Sequence, residues 1–282
     1  MHSVALKPES QRADCFDFEM LPNEMKTEVL SKLDENELLN CRLVSQKWKC
    51  HSDYTLRKRR ISLCIHRGYS RTFREFVILR RNVGERYPNM PKSKQSFEFI
   101  CSMFPYTREV IVLCTQTDNG NSEIRDMLNV CRERLKRVEV LKICDETLTA
   151  EDCCLLGATF PYLKHITLDS LQLSNEIVSK LLHSLTYVTS VQLYAMQDIS
   201  DVCFNGVANR IEKLVWSHND IQAFTGKQKF AKLTSLTLVN TRLGELWSDV
   251  LPNLKIIKIK GTTIDNFDAI CFQNLTIVAL KH

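Results

Sequence analysis

No apolar run in this chain approaches the ~20 residues that a bilayer crossing needs, so a membrane-spanning helix is not expected. The opening stretch MHSVALKPESQRADCFDFEM lacks both the apolar core and the small-residue cleavage site of a secretory signal. An intracellular protein, cytoplasmic or nuclear, is the expectation. Glycine is scarce, at 8 of 282 residues, and G-x-S-x-G, H-E-x-x-H, P-loop and G-x-G-x-x-G motifs are all missing. The signatures of hydrolytic, metalloprotease and nucleotide chemistry are thus absent. None of the 12 cysteines forms a C-x-x-C pair, and no two histidines have zinc-site spacing. Neither a metal nor another cofactor is expected. Cys101, Cys114, Cys144, Cys153, Cys154, Cys203 and Cys271 sit beside apolar positions and read as small, reduced, buried hydrophobes.

Charge is unevenly placed. The net charge is +5, yet residues 57–81 hold nine Lys or Arg and one acid, Glu75. That segment carries +8, so the remainder sums to 5 − 8 = −3. A solvated basic face, an acidic partner, a nuclear-import signal at Arg57–Arg60 or nucleic acid would all account for it. Arg57–Arg60 has no interleaved aromatics, so a base-stacking surface is not indicated and nucleic acid is not the expected partner.

What is present falls into two parts. Near the N-terminus, LPNEMKTEVLSKLDENELLNCRLVSQKW (Leu21–Trp48) contains three short helical patterns. Pro22 and Glu24 suit the first turn of a helix, along which Met25, Val29, Leu30 and Leu33 recur at helical spacing. Asp34 with Glu37 forms an acidic capping box that opens a second helix through Leu38, Leu39 and Cys41. Ser45 can cap a third, bearing Trp48 and Tyr54. Two or three apolar residues per helix make a meagre core for some 40 residues. Two explanations stand: the module buries part of its apolar surface against another protein, or it is a helical cap packed on the rest of the chain.

The order Leu-Pro-x-Glu, Val-Leu-x-x-Leu, then Leu-Leu-x-x-Arg-Leu-Val-Ser-x-x-Trp resembles an F-box, covering about residues 16–60 and departing from the family's habit at Asn40, Cys41 and Gln46. F-box proteins are substrate receptors of Skp–cullin–F-box (SCF) ubiquitin ligases. By that resemblance Leu21, Pro22, Leu30, Leu33, Leu38, Leu39, Val44 and Trp48 would line or support the interface with the Skp adaptor, and a cullin would join through it.

Downstream, a pattern of apolar residues at positions 1, 4 and 6 recurs from Val138, Leu163, Val188, Ile211, Leu233, Leu254 and Leu275, with spacings of 25, 25, 23, 22, 21 and 21. A further copy opens at Thr107. This is the leucine-rich-repeat signature: one short strand and a return per unit, stacked as a parallel sheet in a curved solenoid. Several copies continue the repeat signature past the strand: Leu171 and Leu173, Asn219 and Ile221, Thr241 and Leu243, Thr262 and Ile264. Thr149 and Ser174 can cap helical returns; the shorter late returns allow only a turn or a single helical turn. The last copy runs to His282 without a polar capping unit, so a covering partner or fraying is expected there.

Side chains alternate along a strand, so positions 3, 5 and 7 should face the open side. Position 3 reads His165, Ser190, Lys213, Ser235, Ile256 and Ile277. Position 5 reads Thr167, Gln192, Val215, Thr237, Lys258 and Ala279, and position 7 Asp169, Tyr194, Ser217, Val239, Lys260 and Lys281. Of these, His165, Gln192, Tyr194, Lys213, Val215, Ser217, Thr237, Val239, Ile256, Lys258 and Lys260 are the candidate target-binding residues. Their mixture of lysines, aliphatics and a tyrosine suits a protein ligand bearing acidic or phosphorylated groups.

The expected architecture is an α/β chain: a disordered N-terminal tail (1–15), a three-helix F-box (16–60), a linker or irregular first repeats (61–104), and a leucine-rich-repeat solenoid with a curved parallel sheet (105–282). The expected role is a non-catalytic substrate receptor of an SCF-type ligase. The alternatives are an interaction scaffold without a part in ubiquitination, or a nucleic-acid-associated protein using residues 57–81.

Overall fold

The computed structural model describes residues 18–59, 62–67, 75–80, 94–114, 121–144, 148–196, 199–218, 228–246, 248–267 and 275–279. The tail at 1–15, Arg60, Arg71, Arg74, Arg81, Asn219, Ile221, Cys271 and Lys281 lie outside these residues, as do the side chains of Cys114, Ile277 and Ala279. The chain divides into two compact units, Met1–Lys58 and Arg59–His282.

The first unit contains helices α1 (Asn23–Lys32), α2 (Glu35–Cys41) and α3 (Gln46–Lys58). Pro22 occupies the N-cap position, its carbonyl accepting from Lys26 N–H at 3.0 Å, one step ahead of the helical turn its fixed φ favours. The Asp34–Glu37 capping box forms in both directions: Glu37 N–H donates to Asp34 Oδ1 (2.8 Å) and Asp34 N–H to Glu37 Oε2 (2.7 Å). Ser45 Oγ accepts from Trp48 N–H at 3.3 Å and starts α3. Both α1 and α2 pack on α3, with Leu30, Leu38 and Leu56 fully buried. Arg42 Nε donates to Asp53 Oδ1 at 2.6 Å, tying the end of α2 to α3.

The second unit is built on a ten-stranded sheet. Its strands are β1 (Ser62–Arg67), β2 (Glu75–Arg80), β3 (Glu109–Cys114), β4 (Val140–Cys144), β5 (His165–Asp169), β6 (Ser190–Tyr194), β7 (Lys213–Ser217), β8 (Ser235–Val239), β10 (Ile256–Lys260) and β12 (Thr276–Ala279). The spatial order is β12-β10-β8-β7-β6-β5-β4-β3-β1-β2, parallel throughout except for the antiparallel edge strand β2. Two further strands, β9 (Arg242–Leu246) and β11 (Thr263–Phe267), make a small parallel sheet of their own. They carry the continuation seen at Thr241–Leu243 and Thr262–Ile264. The solenoid begins earlier than its signature does: β1 pairs in parallel with β3, with Ser62 opposite Glu109, the third position of the copy at Thr107.

The repeat chemistry explains the stacking. Leu141, Ile166, Val191, Leu214, Leu236 and Ile257 at position 4 are all at most 1% exposed, and Val138, Leu163, Val188, Ile211, Leu233 and Leu254 at position 1 are buried with them. The position-2 carbonyl of one repeat accepts two N–H groups from the next, as Glu139 does from Lys164 and His165 and Lys164 does from Thr189 and Ser190. Returns are helical early: α4 (Lys94–Met103), α5 (Asn121–Arg134), α6 (Ala150–Thr159) and α7 (Asn175–Ser184) pack in sequence. Thr149 caps α6 through a full capping box with Asp152, and Ser174 caps α7. Among its described residues the next return has 3-10 turns, at Asp201–Phe204 and Ala208–Arg210.

The last copy departs from its sequence register. Ile277 lies opposite Ile257 and Ala279 opposite Ile259, so both occupy the rows of the core positions 4 and 6 rather than the open-face positions 3 and 5. The pairing of this strand is thus offset by one residue from the register of the motif.

Two packing details carry predictions. In α6, a Cβ on Gly157 would sit 2.5 Å from Ser184 Cβ and 2.8 Å from the Ser184 carbonyl oxygen. Gly157 thus sets the approach of α6 to α7. Gly157→Ala is expected to cost about 2 kcal/mol by overpacking, although alanine is the better helix former; chemical denaturation showing a more stable variant would contradict this. At position 8 the backbone is left-handed in successive repeats: Ser170 (φ 57°), Ala195 (47°), His218 (57°), Asn240 (46°) and Gly261 (57°). There the N–H groups of Ser170, Ala195, His218 and Asn240 donate to the position-7 carbonyl of the next repeat. Only Gly261 adopts this conformation without a Cβ penalty. Ala195 is exposed and loses no packing on truncation, so Ala195→Gly is expected to stabilise the solenoid by about 1 kcal/mol. A lower denaturation midpoint for the glycine variant would count against the strain argument.

Two candidate interaction surfaces

On the helical unit the adaptor-binding candidates separate by exposure. Pro22 and Val44 are exposed, Val44 at 64%. Leu21, Leu33, Leu39 and Trp48 are half-buried, and the Trp48 ring lies 4.1 Å from that of Phe18. Leu30 and Leu38 are fully buried, so within this unit they support the fold and present no surface. Four exposed apolar residues were not among the candidates: Met20 (81%), Leu43 (85%), Met25 (50%) and Val29 (45%). Met25 and Val29, spaced i,i+4, share one face of α1. Leu43 sits beside Val44 in the turn between α2 and α3, held by Leu43 N–H to Asn40 O and Val44 N–H to Cys41 O. The signal was present: a surplus of apolar residues over what three short helices can bury, and a pair placed where the helices pause.

On the solenoid the open face shows the predicted alternation. His165, Gln192, Val215, Thr237, Tyr194 and Val239 are half-exposed, and Lys213, Ile256, Lys258 and Lys260 are exposed. Two positions differ. Ser217 is 1% and Ser190 6% exposed, and the Ser217 hydroxyl lies 2.6 Å from His218 Nδ1. A small side chain between neighbouring strands is covered by the larger ones around it, so Ser217 is removed from the accessible set.

The polar groups are organised differently along the face. Toward the N-terminal repeats, Lys142 Nζ lies 3.7 Å from Asp169 Oδ2, and Glu139 takes Lys164 (3.5 Å) and Arg108 (3.8 Å). Ser62 Oγ donates to Glu109. The Gln192 side-chain carbonyl accepts from Tyr194 Oη (3.2 Å) and Thr167 Oγ1 (3.4 Å). Burial pushes the Tyr194 phenol up, opposed by the Lys142 ammonium. His165 is held below its ordinary value, first by burial and then by the Lys213 and Lys164 ammonium groups. For Lys213, Lys258 and Lys260 no carboxylate stands within ion-pair distance among the described residues.

No group of three His, Cys, Asp or Glu suited to a metal occurs among the described residues, and no described helix is long and apolar enough to cross a membrane. Burial pushes the Cys153 thiol up to about 12 and raises that of Cys203 further, which keeps both protonated and poor nucleophiles.

Comparison with known proteins adds one assignment. Residues 18–60 match the F-box domain family. Among solved structures, a chain of the crystal structure of the TLR13–ssRNA13 complex is similar at 17% identity with a TM-score of 0.45; the match covers 67% of this chain and 30% of that one. No curated protein sequence matches this chain.

Proposed function

With an F-box domain at residues 18–60 as premise, we propose that this protein is the substrate-recognition subunit of an SCF-type ubiquitin ligase. F-box domains generally dock on the Skp adaptor. Here Leu21, Pro22, Leu33, Leu39, Val44 and Trp48, joined by Leu43, Met25 and Val29, would form that contact, with Leu30 and Leu38 supporting it from beneath. The observation that carries this reading is the pair Leu43 and Val44, exposed at 85% and 64% on a unit whose three short helices leave them uncovered.

The solenoid would hold the target on its open face, at His165, Gln192, Tyr194, Lys213, Val215, Thr237, Val239, Ile256, Lys258 and Lys260. The mechanism is proximity. One module is tethered to adaptor and cullin, the other to a target, and the raised effective concentration speeds a transfer catalysed by another subunit. The protein itself needs no catalytic group. An intracellular site of action, in cytoplasm or nucleus, follows from this reading; the division that goes with it is a tail, an F-box, a linker or irregular first repeats, and a solenoid.

Co-purification of the full chain with the Skp adaptor tests the proposal. Stoichiometric capture is the expected result. A folded chain that leaves the adaptor in the flow-through would reduce the helical unit to a structural element and the protein to a scaffold outside the ligase.

A further inference from the structure

The charges on the open face of the solenoid are divided between its two halves. On β3, β4 and β5 the described charged side chains have partners: Glu109 accepts from Ser62, and Lys142 pairs with Asp169. At the strand starts Glu139 is shared by Arg108 and Lys164. Acids and bases therefore cancel locally, and a ligand arriving there must displace existing pairs to make its own.

The half built from β7, β8 and β10 is arranged otherwise. Lys213, Lys258 and Lys260 are exposed, and no described carboxylate lies within 4.0 Å of any of them. Neither Glu212 nor Lys255, at the strand starts, takes part in an ion pair with a described residue. The floor around the lysines mixes aliphatic and hydroxyl side chains: Val215, Val239, Ser235 and Thr237 are half-exposed and Ile256 is 40% exposed. Strands lie roughly 5 Å apart and successive same-face residues about 7 Å apart, so Lys213 on β7 and Lys258 on β10 stand on the order of 10 Å from one another. That spacing lets the three ammonium groups meet separate acidic groups along one extended segment. It matches a segment presenting several carboxylates with apolar side chains between them. On β5, His165 is held below its ordinary value first by burial and then by the Lys213 ammonium.

We propose that the target's docking element is an acidic, partly apolar peptide segment seated on β7, β8 and β10, its carboxylates against Lys213, Lys258 and Lys260 and its apolar side chains on Val215, Val239 and Ile256. The inference rests on the receptor reading and narrows it: the chemistry of the target segment is specified, and its charged contacts are placed on β7 and β10. The unpaired ammonium groups would steer encounter, and the aliphatic side chains of the floor would set residence time.

Fluorescence anisotropy tests this with the full chain and two labelled peptides of about twelve residues, one of interspersed Glu and Leu, the other of Lys and Leu. The Glu/Leu peptide is expected to bind, with Kd raised about tenfold or more by Lys213→Glu/Lys258→Glu/Lys260→Glu, which should acquire affinity for the Lys/Leu peptide. Lys142→Glu/Lys164→Glu, in the other half, should leave the Glu/Leu affinity within about twofold. Raising the salt from low concentration to about 0.5 M should narrow the gap between wild type and the triple variant. If the reversal disturbs the thermal midpoint, Lys213→Gln/Lys258→Gln/Lys260→Gln replaces it, with loss of the acidic peptide still expected. The proposal is overturned if the Glu/Leu peptide fails to bind, or if both sets of substitutions weaken it equally. Adaptor capture by the same wild-type protein separates the two readings. Capture without peptide binding removes only the acidic seat, whereas peptide binding without capture removes the ligase role and keeps the seat.

Discussion

Leu43→Asp/Val44→Asp is expected to weaken adaptor capture by at least about a hundredfold while leaving the thermal midpoint of the helical unit nearly unchanged. The two halves of that outcome have separate physical origins. Leu43 and Val44 are 85% and 64% exposed, so aspartate there meets water in the free protein and displaces little packing. The turn they occupy is held by backbone bonds, Leu43 N–H to Asn40 O (2.9 Å) and Val44 N–H to Cys41 O (3.2 Å), which the substitutions do not remove. In a complex that buries the pair, each carboxylate must be desolvated without a partner, and a loss of about 1.4 kcal/mol or more apiece comes to about a hundredfold together at the least. The choice of residues matters. Trp48 stacks on Phe18 and Leu30 and Leu38 are fully buried, so their loss would confound binding with folding. Co-purification with a melting curve on the same sample decides it; undiminished capture by a folded double variant would remove these side chains from the interface.

Trp216→Ala should be the most damaging single truncation in the solenoid. Trp216 holds position 6 of its repeat, where Leu193 and Leu238 flank it on the neighbouring strands, and it is 0% exposed. Its ring lies 6.2 Å from that of Phe204, which meets Phe230 edge-on at 5.3 Å. Truncation removes the largest fully buried side chain among the described residues and leaves a cavity spanning more than one repeat. The cost expected is 3–5 kcal/mol, which for a unit of this size lowers the thermal midpoint by roughly 10 °C. Repeats couple through nearest neighbours, so the effect should reach β6 and β8 first and the early helical returns last. Hydrogen exchange across the solenoid would show that gradient. A midpoint lowered by less than about 3 °C would mean that the aromatic cluster collapses around the loss. Trp216→Phe should recover most of the stability.

These expectations depend on different levels of information. The local ones were legible in the chain. Capping at Asp34, Ser45, Thr149 and Ser174 occurs as their sequences demand, because a cap satisfies orphan N–H groups within three residues of itself. Core positions 1 and 4 were readable for a related reason: a fixed period of apolar residues has few ways to be buried other than by stacking.

What the sequence left undetermined was decided by neighbours distant in the chain. The left-handed backbone at position 8 carries no consistent glycine or asparagine, since Ser170, Ala195 and His218 are held there by bonds to the next repeat. The final strand pairs with β10 one residue out of the motif's register, with Ile277 opposite Ile257, whereas the motif alone placed Ile277 and Ala279 outward. Ser217, placed on the open face by the alternation of its strand, is 1% exposed. The first parallel strand lacks a legible repeat, yet Leu63 and Ile65 are buried in register with Val110 and Val112 once β3 stands beside them. Which apolar residues of the helical unit remain for a partner was likewise a matter of packing: the sequence named Leu30, Leu38 and Val44 alike, and the fold buried two and left the third. Periodicity and capping act over one turn or one strand and are written in the chain. Register, burial of small residues and the division of charge along a face depend on which segments become neighbours, and only the folded molecule decides that.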